Sequence, residues 1–345
     1  MERIIFIGGI GGKNIFGGEL TKNNIINEKL KSENFQIVII DTHRCNHNPF
    51  KLIACLLKIV FFYGFSKRSL FIISTSSPNT YKILSIINVI PRNHPIVYWV
   101  IGGLFGYKIE NKIYKKEKYR KVNKIIVEGS LMEKQLSESG FNNVITIPNF
   151  KNFHSLPKSE KYKDGKIHFI FLSRIQPEKG CELIYDCSVK LNENGYKDKY
   201  QIDFYGRIND KYINKFHDNL KSNSNLKYCG TINLNVWENY NTITKYHYML
   251  FPTFWHGEGF PGVVIDAGIA GVPLIASNWN FNTEFIKKGK NGYLVNVNDV
   301  NSLYEAMEFV IRKEYDYNLV KACQENVINY DINTYNFRKI LSPLV

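Results

Sequence analysis

The chain has 345 residues, of which 22% are charged and 44% hydrophobic, an ordinary balance for folded protein and enough length for two domains. Its net charge of +14 is uneven: residues 1–150 hold 21 basic and 10 acidic side chains, residues 151–345 hold 24 and 21, so the first half faces something anionic, such as nucleic acid, phospholipid head groups or a diphosphate. Six cysteines without a Cys-x-x-Cys pair argue against a disulfide framework or a zinc site and for reduced, packing thiols.

Arg3–Ile7 reads as a strand leading into the loop GGIGGKNIFGG, with no signal peptide expected ahead of it. A helix from about Glu19 to Lys31 and a strand at Gln36–Ile40 follow. A dinucleotide fingerprint begins at Gly9 and Gly11 but fails at Asn14, where a third glycine is required, and Asp41 is a weak ribose-binding substitute. Lys51–Phe65 is the most apolar run, too short to span a bilayer and interrupted by Lys58. It is expected as a core helix, with a helix at a membrane surface as the alternative. Leu70–Ser74 and Ile96–Val100 read as strands, with a helix at Pro78–Ile90. The second strand ends in Gly102-Gly103, placed where α/β sheets hold ligands and expected on the acceptor side of a site. Tyr107–Lys124 is dense in lysine, either a solvated face or a contact with anionic lipid. Ser130 is expected to cap a helix over Leu131–Ser139, before a strand at Val144–Ile147.

Residues 151–166 are polar and aperiodic, the expected linker between a domain of residues 1–150 and one of 167–330. Ile167–Leu172 opens a second α/β series. Arg174 leaves that strand and Lys179 precedes a helix beginning near Gly180. Two cations beside a helix N-terminus make a diphosphate clamp. Strands at Gln201–Tyr205 and Leu226–Cys229 end in Gly206-Arg207 and Gly230-Thr231. Phe251–Ser277 reads as a strand end, a glycine loop, a helix from Pro261 to Gly271 and another strand. Glu258 stands beside that helix start and Asp266 two turns on, a place suited to phosphates and hydroxyls. His256 precedes Glu258 by two residues. Asp299–Lys313 reads as an amphipathic helix, and Asp331–Leu341 as a final one. His43 and His47 lack the partners of a metal site, and His94 reads as a loop residue.

The Glu258-x7-Asp266 spacing, Gly259-Phe260-Pro261-Gly262, Arg174 with Lys179-Gly180, and Gly17-Gly18-Glu19 together resemble the signature of retaining nucleotide-sugar glycosyltransferases of family 4. The chain departs at Asp266, where the family prefers Glu, and at Pro261, where it prefers Gly. The resemblance implies the α/β GT-B fold, two Rossmann-like domains facing a central cleft, with residues 331–345 crossing back to the first domain. It implies transfer of a hexose from a UDP- or GDP-sugar to a glycan, carried on a lipid diphosphate in a polysaccharide or O-antigen pathway, with retention and without a metal. Arg174 and Lys179 then stabilise the leaving diphosphate and Glu258 meets the donor sugar. Gly17 and Gly18 lie near the diphosphate, Gly206, Arg207 and Thr231 flank the base, and Asp266 meets the ribose. His256, Gly259, Phe260 and Pro261 line the donor, with Gly102 and Gly103 on the acceptor side. The basic first domain suits an anionic membrane at its cytoplasmic face. A nucleotide-sugar epimerase of the same fold and a nicotinamide-dependent enzyme are the alternatives; no nucleic-acid motif appears.

Overall fold

The computed structural model describes residues 3–11, 17–153 and 155–345, so Asn14 and the middle of the first glycine loop lie outside the described residues. It divides into two compact units. The N-terminal unit takes Met1–Asn152, Gly257–Phe260 and Tyr330–Val345; the C-terminal unit takes Phe153–His256 and Pro261–Asn329.

In the N-terminal unit, strands β1 (Arg3–Gly8), β2 (Gln36–Asp41), β3 (Leu70–Ser74), β4 (Ile96–Trp99), β5 (Lys124–Val127) and β6 (Val144–Thr146) form a parallel sheet in the order β2-β1-β3-β4-β5-β6. Helices α1 (Gly18–Ser32), α2 (Pro49–Phe65), α3 (Ser77–Ile87), α4 (Phe105–Glu110) and α5 (Ser130–Glu138) join them. β3 is buried along its whole length and β1 over all but its first residue. Such unbroken apolar runs suit strands covered by helices on both faces. Gly129, not Ser130, occupies the N-cap of α5, since the strand-to-helix turn falls one residue early. Asp41 holds backbone rather than waiting for a ribose: its Oδ1 accepts from the N–H groups of Ile10 (3.0 Å) and His43 (2.8 Å). His94 is buried, its Nδ1 accepting from the Ser69 N–H at 3.3 Å between the rings of Tyr63 and Phe71.

The expectation of a core helix at Lys51–Phe65 is corrected. Of α2, Cys55, Ile59 and Tyr63 are buried, while Phe50, Ile53, Leu57, Phe61 and Phe65 are exposed. The sheet edge beneath offers one face for packing, and a helix apolar all round has more hydrophobic surface than one face covers. The lysine-dense run also has a structural use. Lys121 Nζ donates to the carbonyls of Ile87, Ile90 and Arg92, Lys124 to those of Ile340 and Ser342, and Lys116 to that of Gly140.

In the C-terminal unit, β7 (Ile167–Leu172), β8 (Tyr200–Tyr205), β9 (Leu226–Tyr228), β10 (Tyr248–Phe251), β11 (Leu274–Ser277) and β12 (Gly292–Val295) run parallel in the order β12-β11-β10-β7-β8-β9. The connecting helices are α6 (Cys181–Glu193), α7 (Ile213–Ser222), α8 (Tyr240–Ile243), α9 (Gly262–Ile269), α10 (Asn282–Phe285), α11 (Val300–Arg312) and α12 (Asn318–Val327). Asp299 caps α11 by accepting from the Ser302 N–H. α12, absent from the sequence reading, packs on α9: a Cβ on Gly268 would lie 2.9 Å from Val327. The tail is less helical than expected, a 3-10 turn at Ile332–Thr334 and a short α13 (Phe337–Leu341), because Tyr335 ends the turn in an extended conformation and Asn336 caps a new helix. Phe337 packs 5.2 Å from the Trp99 ring.

Described cysteines are all free, and Cys229 alone is not buried. Burial pushes the thiols of Cys55, Cys187 and Cys323 up to about 12.

Among its described residues the expected linker is without helix or strand, yet from Phe153 on it belongs to the C-terminal unit. Lys161 is buried there, its Nζ donating to the carbonyls of Tyr246 (2.7 Å) and Gly271 (3.1 Å). Burial lowers its pKa from the ordinary 10.5 to about 7. Between those values the unfolded chain binds a proton that the folded chain does not, so stability rises with pH across that window. Thermal unfolding of the wild type and of Lys161→Met, compared from pH 7 to pH 10, should show this rise in the wild type and lose that component in the variant.

Candidate functional site

In an open parallel sheet, ligands settle at the carboxyl ends of the strands where the strand order reverses. In the C-terminal unit that point lies between β7 and β10. The loop after β7 runs from Ser173 to Gly180, and the loop after β10 from Pro252 to His256. The two are joined: the Glu178 carbonyl accepts from the Phe254 N–H at 2.9 Å and from Thr253 Oγ1 at 3.4 Å. Gly180 makes the approach possible. It adopts a positive φ of 87°, and a Cβ on it would lie 2.4 Å from the Pro252 carbonyl oxygen.

Gly180 also opens α6, 13 residues long. Its first N–H groups and the positive end of its dipole therefore face the switch point. Lys179 immediately precedes it, half-buried, its Nζ 5.9 Å from the centre of the Phe251 ring. Arg174 is exposed two residues past β7. Arg207 is likewise exposed just past β8. Gly206 is the hinge of that neighbouring end: its N–H donates to the Gly230 carbonyl at 2.8 Å, and a Cβ would lie 1.7 Å from the Ser173 carbonyl oxygen. Thr231 is exposed beyond β9. His256 packs edge-on against Trp279 at 5.4 Å, and the Trp279 indole donates to the Trp255 carbonyl at 3.1 Å. Pro261 is the N-cap residue of α9, one place earlier than expected. Asp266 is buried and accepts the Tyr240 hydroxyl at Oδ1. Burial first, then the adjacent carboxylate, raise the Tyr240 pKa well above its ordinary value.

A second set of expected residues belongs to the N-terminal unit. Gly17 and Gly18 are exposed at the start of α1. Beside them Glu19 is raised in pKa, chiefly by burial, with its Oε1 accepting from the Gly9 N–H at 3.4 Å. Gly102 and Gly103, expected on the acceptor side, lie against the segment that carries Glu258. The Gly103 N–H donates to the Gly257 carbonyl at 3.3 Å, and a Cβ on Gly103 would lie 1.9 Å from the Glu258 carbonyl oxygen. Gly259 is held as closely: its Cβ would lie 2.7 Å from Glu128 Oε2 and 3.3 Å from the Gly102 Cα. The Phe260 N–H donates to Glu128 Oε2 at 3.0 Å, and its carbonyl accepts from Asn149 Nδ2 at 2.9 Å.

Glu128 was not singled out in the sequence. It is buried and paired with the buried Lys22 of α1, whose Nζ lies 5.9 Å from the Trp99 ring and 5.7 Å from the Phe150 ring. The available signal was a lysine on the otherwise inward face of α1, with Leu20, Asn23, Ile26 and Leu30. Among the described residues no His, Cys, Asp and Glu grouping suits a metal ion.

Residues 152–330 match the family described as Glycosyl transferases group 1. The chain is 27% identical over 200 residues, 55% of its length and 38% of the other's, to a poly(ribitol-phosphate) alpha-N-acetylglucosaminyltransferase of Staphylococcus aureus (strain COL). It is 24% identical over 169 residues to the UDP-Gal:alpha-D-GlcNAc-diphosphoundecaprenol alpha-1,3-galactosyltransferase of Escherichia coli, covering 48% of this chain and 42% of that protein. The matches thus span less than half of either relative's own length. Among solved structures, a sucrose-phosphate synthase from Thermosynechococcus elongatus aligns with a TM-score of 0.73 at 14% identity, covering 97% of this chain and 96% of that one. The fold is GT-B.

Glu128→Ala should leave Lys22 buried without its counter-charge and remove the acceptor of the Phe260 N–H, at a cost of roughly 3–5 kcal/mol. Denaturant unfolding should register that loss, and Lys22→Met with Glu128→Leu should recover most of it.

Proposed function

From the chain's membership of the Glycosyl transferases group 1 family, we propose that it transfers a hexose from a UDP- or GDP-sugar to a glycan carried on a lipid diphosphate, with retention of configuration. What supports this reading is the pair of hydrogen-bonded loops at the β7/β10 switch point, the first of which carries Arg174 and Lys179 in sequence and leads into the N-terminus of α6.

The chemistry follows from where charge develops. As the bond between the sugar and the diphosphate breaks, negative charge collects on the leaving phosphate. Two cations and the unpaired N–H groups of α6 suit that charge more strongly in the transition state than in the ground state. Gly206, Arg207 and Thr231, at the adjacent strand ends, would flank the base. Glu258, Gly259 and Phe260 take the donor sugar in this reading, with His256 and Pro261 beside them in sequence, and Gly17 and Gly18 the diphosphate, as the family resemblance implies. Asp266 would meet the ribose while also orienting Tyr240, the contact its burial supports. Retention then proceeds by attack on the face the leaving group departs from, with the leaving phosphate taking the acceptor's proton. Cationic side chains supply the counter-charge, so no metal is required.

The lipid-linked acceptor rests on the galactosyltransferase relative, whose name specifies an alpha-D-GlcNAc-diphosphoundecaprenol acceptor, and on the basic N-terminal half. Among the described residues no helix is long and apolar enough to cross a membrane. The enzyme would work at an anionic cytoplasmic membrane face, held peripherally. The family match favours transfer over the epimerase alternative.

A panel of nucleotide sugars screened for a rise in melting temperature should single out one donor, and its labelled sugar should move to a lipid-linked acceptor; label remaining on the nucleotide as an epimer would reject the proposal. With that donor, Arg174→Ala and Lys179→Ala should each lower kcat by about 10²–10³-fold and weaken nucleoside diphosphate binding, and transfer should persist in EDTA.

A further inference from the structure

α2 carries two apolar stripes. Cys55, Ile59 and Tyr63 pack inward. On the opposite side Phe50, Ile53, Leu57, Phe61 and Phe65 follow at intervals of three or four residues, one face of a helix. Their exposures are 84%, 55%, 65%, 59% and 76%, a continuous apolar ridge where a water-facing helix ordinarily carries charge. Near the helix's C-terminal half stands a second apolar tip, Val89, at 80% exposure. The loop holding it is tied down by Lys121, whose Nζ also lies 5.4 Å from the Tyr63 ring.

The charges around the ridge are predominantly positive, the Asp41 carboxylate near its start being paired with Lys51 of α2 at 3.2 Å. α2 contains no acidic residue. Lys58 stands beside the ridge on the helix itself, and Lys67 and Arg68 follow it directly, all exposed. The Arg3 guanidinium lies 5.4 Å from the Phe62 ring, and Arg92 is exposed in the Val89 loop. A second copy of the chain docking on this ridge would bring the same cations against these, which costs energy at a close interface. An apolar ridge rimmed by cations matches the boundary between anionic head groups and acyl chains.

We infer that α2 is a membrane-inserting helix: its outward ridge enters the acyl region of an anionic bilayer while Lys58, Lys67, Arg68, Arg3 and Arg92 meet the head groups. This deepens the membrane reading proposed above, adding hydrocarbon insertion to surface attraction, and it is independent of the sugar chemistry.

The test uses the full chain and vesicles of phosphatidylglycerol and phosphatidylcholine, without donor or acceptor. Phe61→Trp should bind with a blue-shifted emission that brominated acyl chains quench. Leu57→Glu with Phe61→Glu should weaken vesicle binding by about tenfold or more while keeping the wild-type melting temperature, because both residues are exposed. Part of the wild-type binding should survive high salt, which screens charge and not burial. Insertion is overturned if the double variant binds as the wild type does, if brominated lipid fails to quench Phe61→Trp, or if the chain is a dimer that the double variant dissociates and vesicles do not bind. Binding that vanishes in salt without quenching also overturns insertion yet leaves a surface-held enzyme, and transfer assayed in detergent reads the activity separately.

Discussion

One backbone hydrogen bond, from the Phe254 N–H to the Glu178 carbonyl at 2.9 Å, joins the two loops at the switch point of the C-terminal unit's sheet. The loops descend from strands adjacent in the sheet but far apart in the chain, and only a reversal of strand order brings them together. Gly180 lets the backbones approach within hydrogen-bonding reach and at the same residue starts α6. The cation at Lys179 is thereby fixed next to a helix dipole by a residue that has no side chain of its own. Gly206 repeats the device one strand over, against the Ser173 carbonyl. At these strand ends the geometry of the loops is set by backbone contacts.

The N-terminal unit uses the opposite device. Its hold on residues 257–260 passes through a buried ion pair, with the Glu128 carboxylate shared between the Lys22 ammonium and the Phe260 N–H. A buried pair of this kind adds little net stability relative to apolar packing but penalises any displacement that separates the charges. Rigid placement of the Glu258 backbone is the consequence, reinforced by Gly103, whose missing Cβ leaves room for the Glu258 carbonyl.

Much of the architecture was legible because parallel strands announce themselves. Runs such as IIFI at Ile4–Ile7 and LFIIS at Leu70–Ser74 are apolar without alternation, and polar, charged or glycine residues bound them. The loops bearing Arg174, Lys179 and Glu258 were legible because glycine and charge fall at strand ends, where function in such sheets resides. What escaped lay in pairings distant in sequence. Lys22 and Glu128 are 106 residues apart, and Tyr240 and Asp266 are 26 apart. No local pattern marks either pair. α12 escaped because its inward positions Leu319, Cys323 and Val327 sit among Asn, Lys, Gln and Glu. α2 was placed as a helix, but a segment apolar on every side gives no phase, so which side meets the sheet was undecidable from its residues alone. The close approach of Gly103 to the Glu258 backbone also escaped, because a strand-end glycine pair does not show which distant stretch of backbone it meets.

The buried cysteines give the fold an internal set of clocks. Thiolate, not thiol, reacts with alkylating reagents, and burial has pushed Cys55, Cys187 and Cys323 up to about 12. Each sits on a different helix, α2, α6 and α12 respectively. In the native chain, modification at each thiol therefore waits for local opening of its own helix. Mapping the modified cysteine against time separates the breathing of α2 from that of the helix beside Lys179 and of the one packed on α9, without introducing any label.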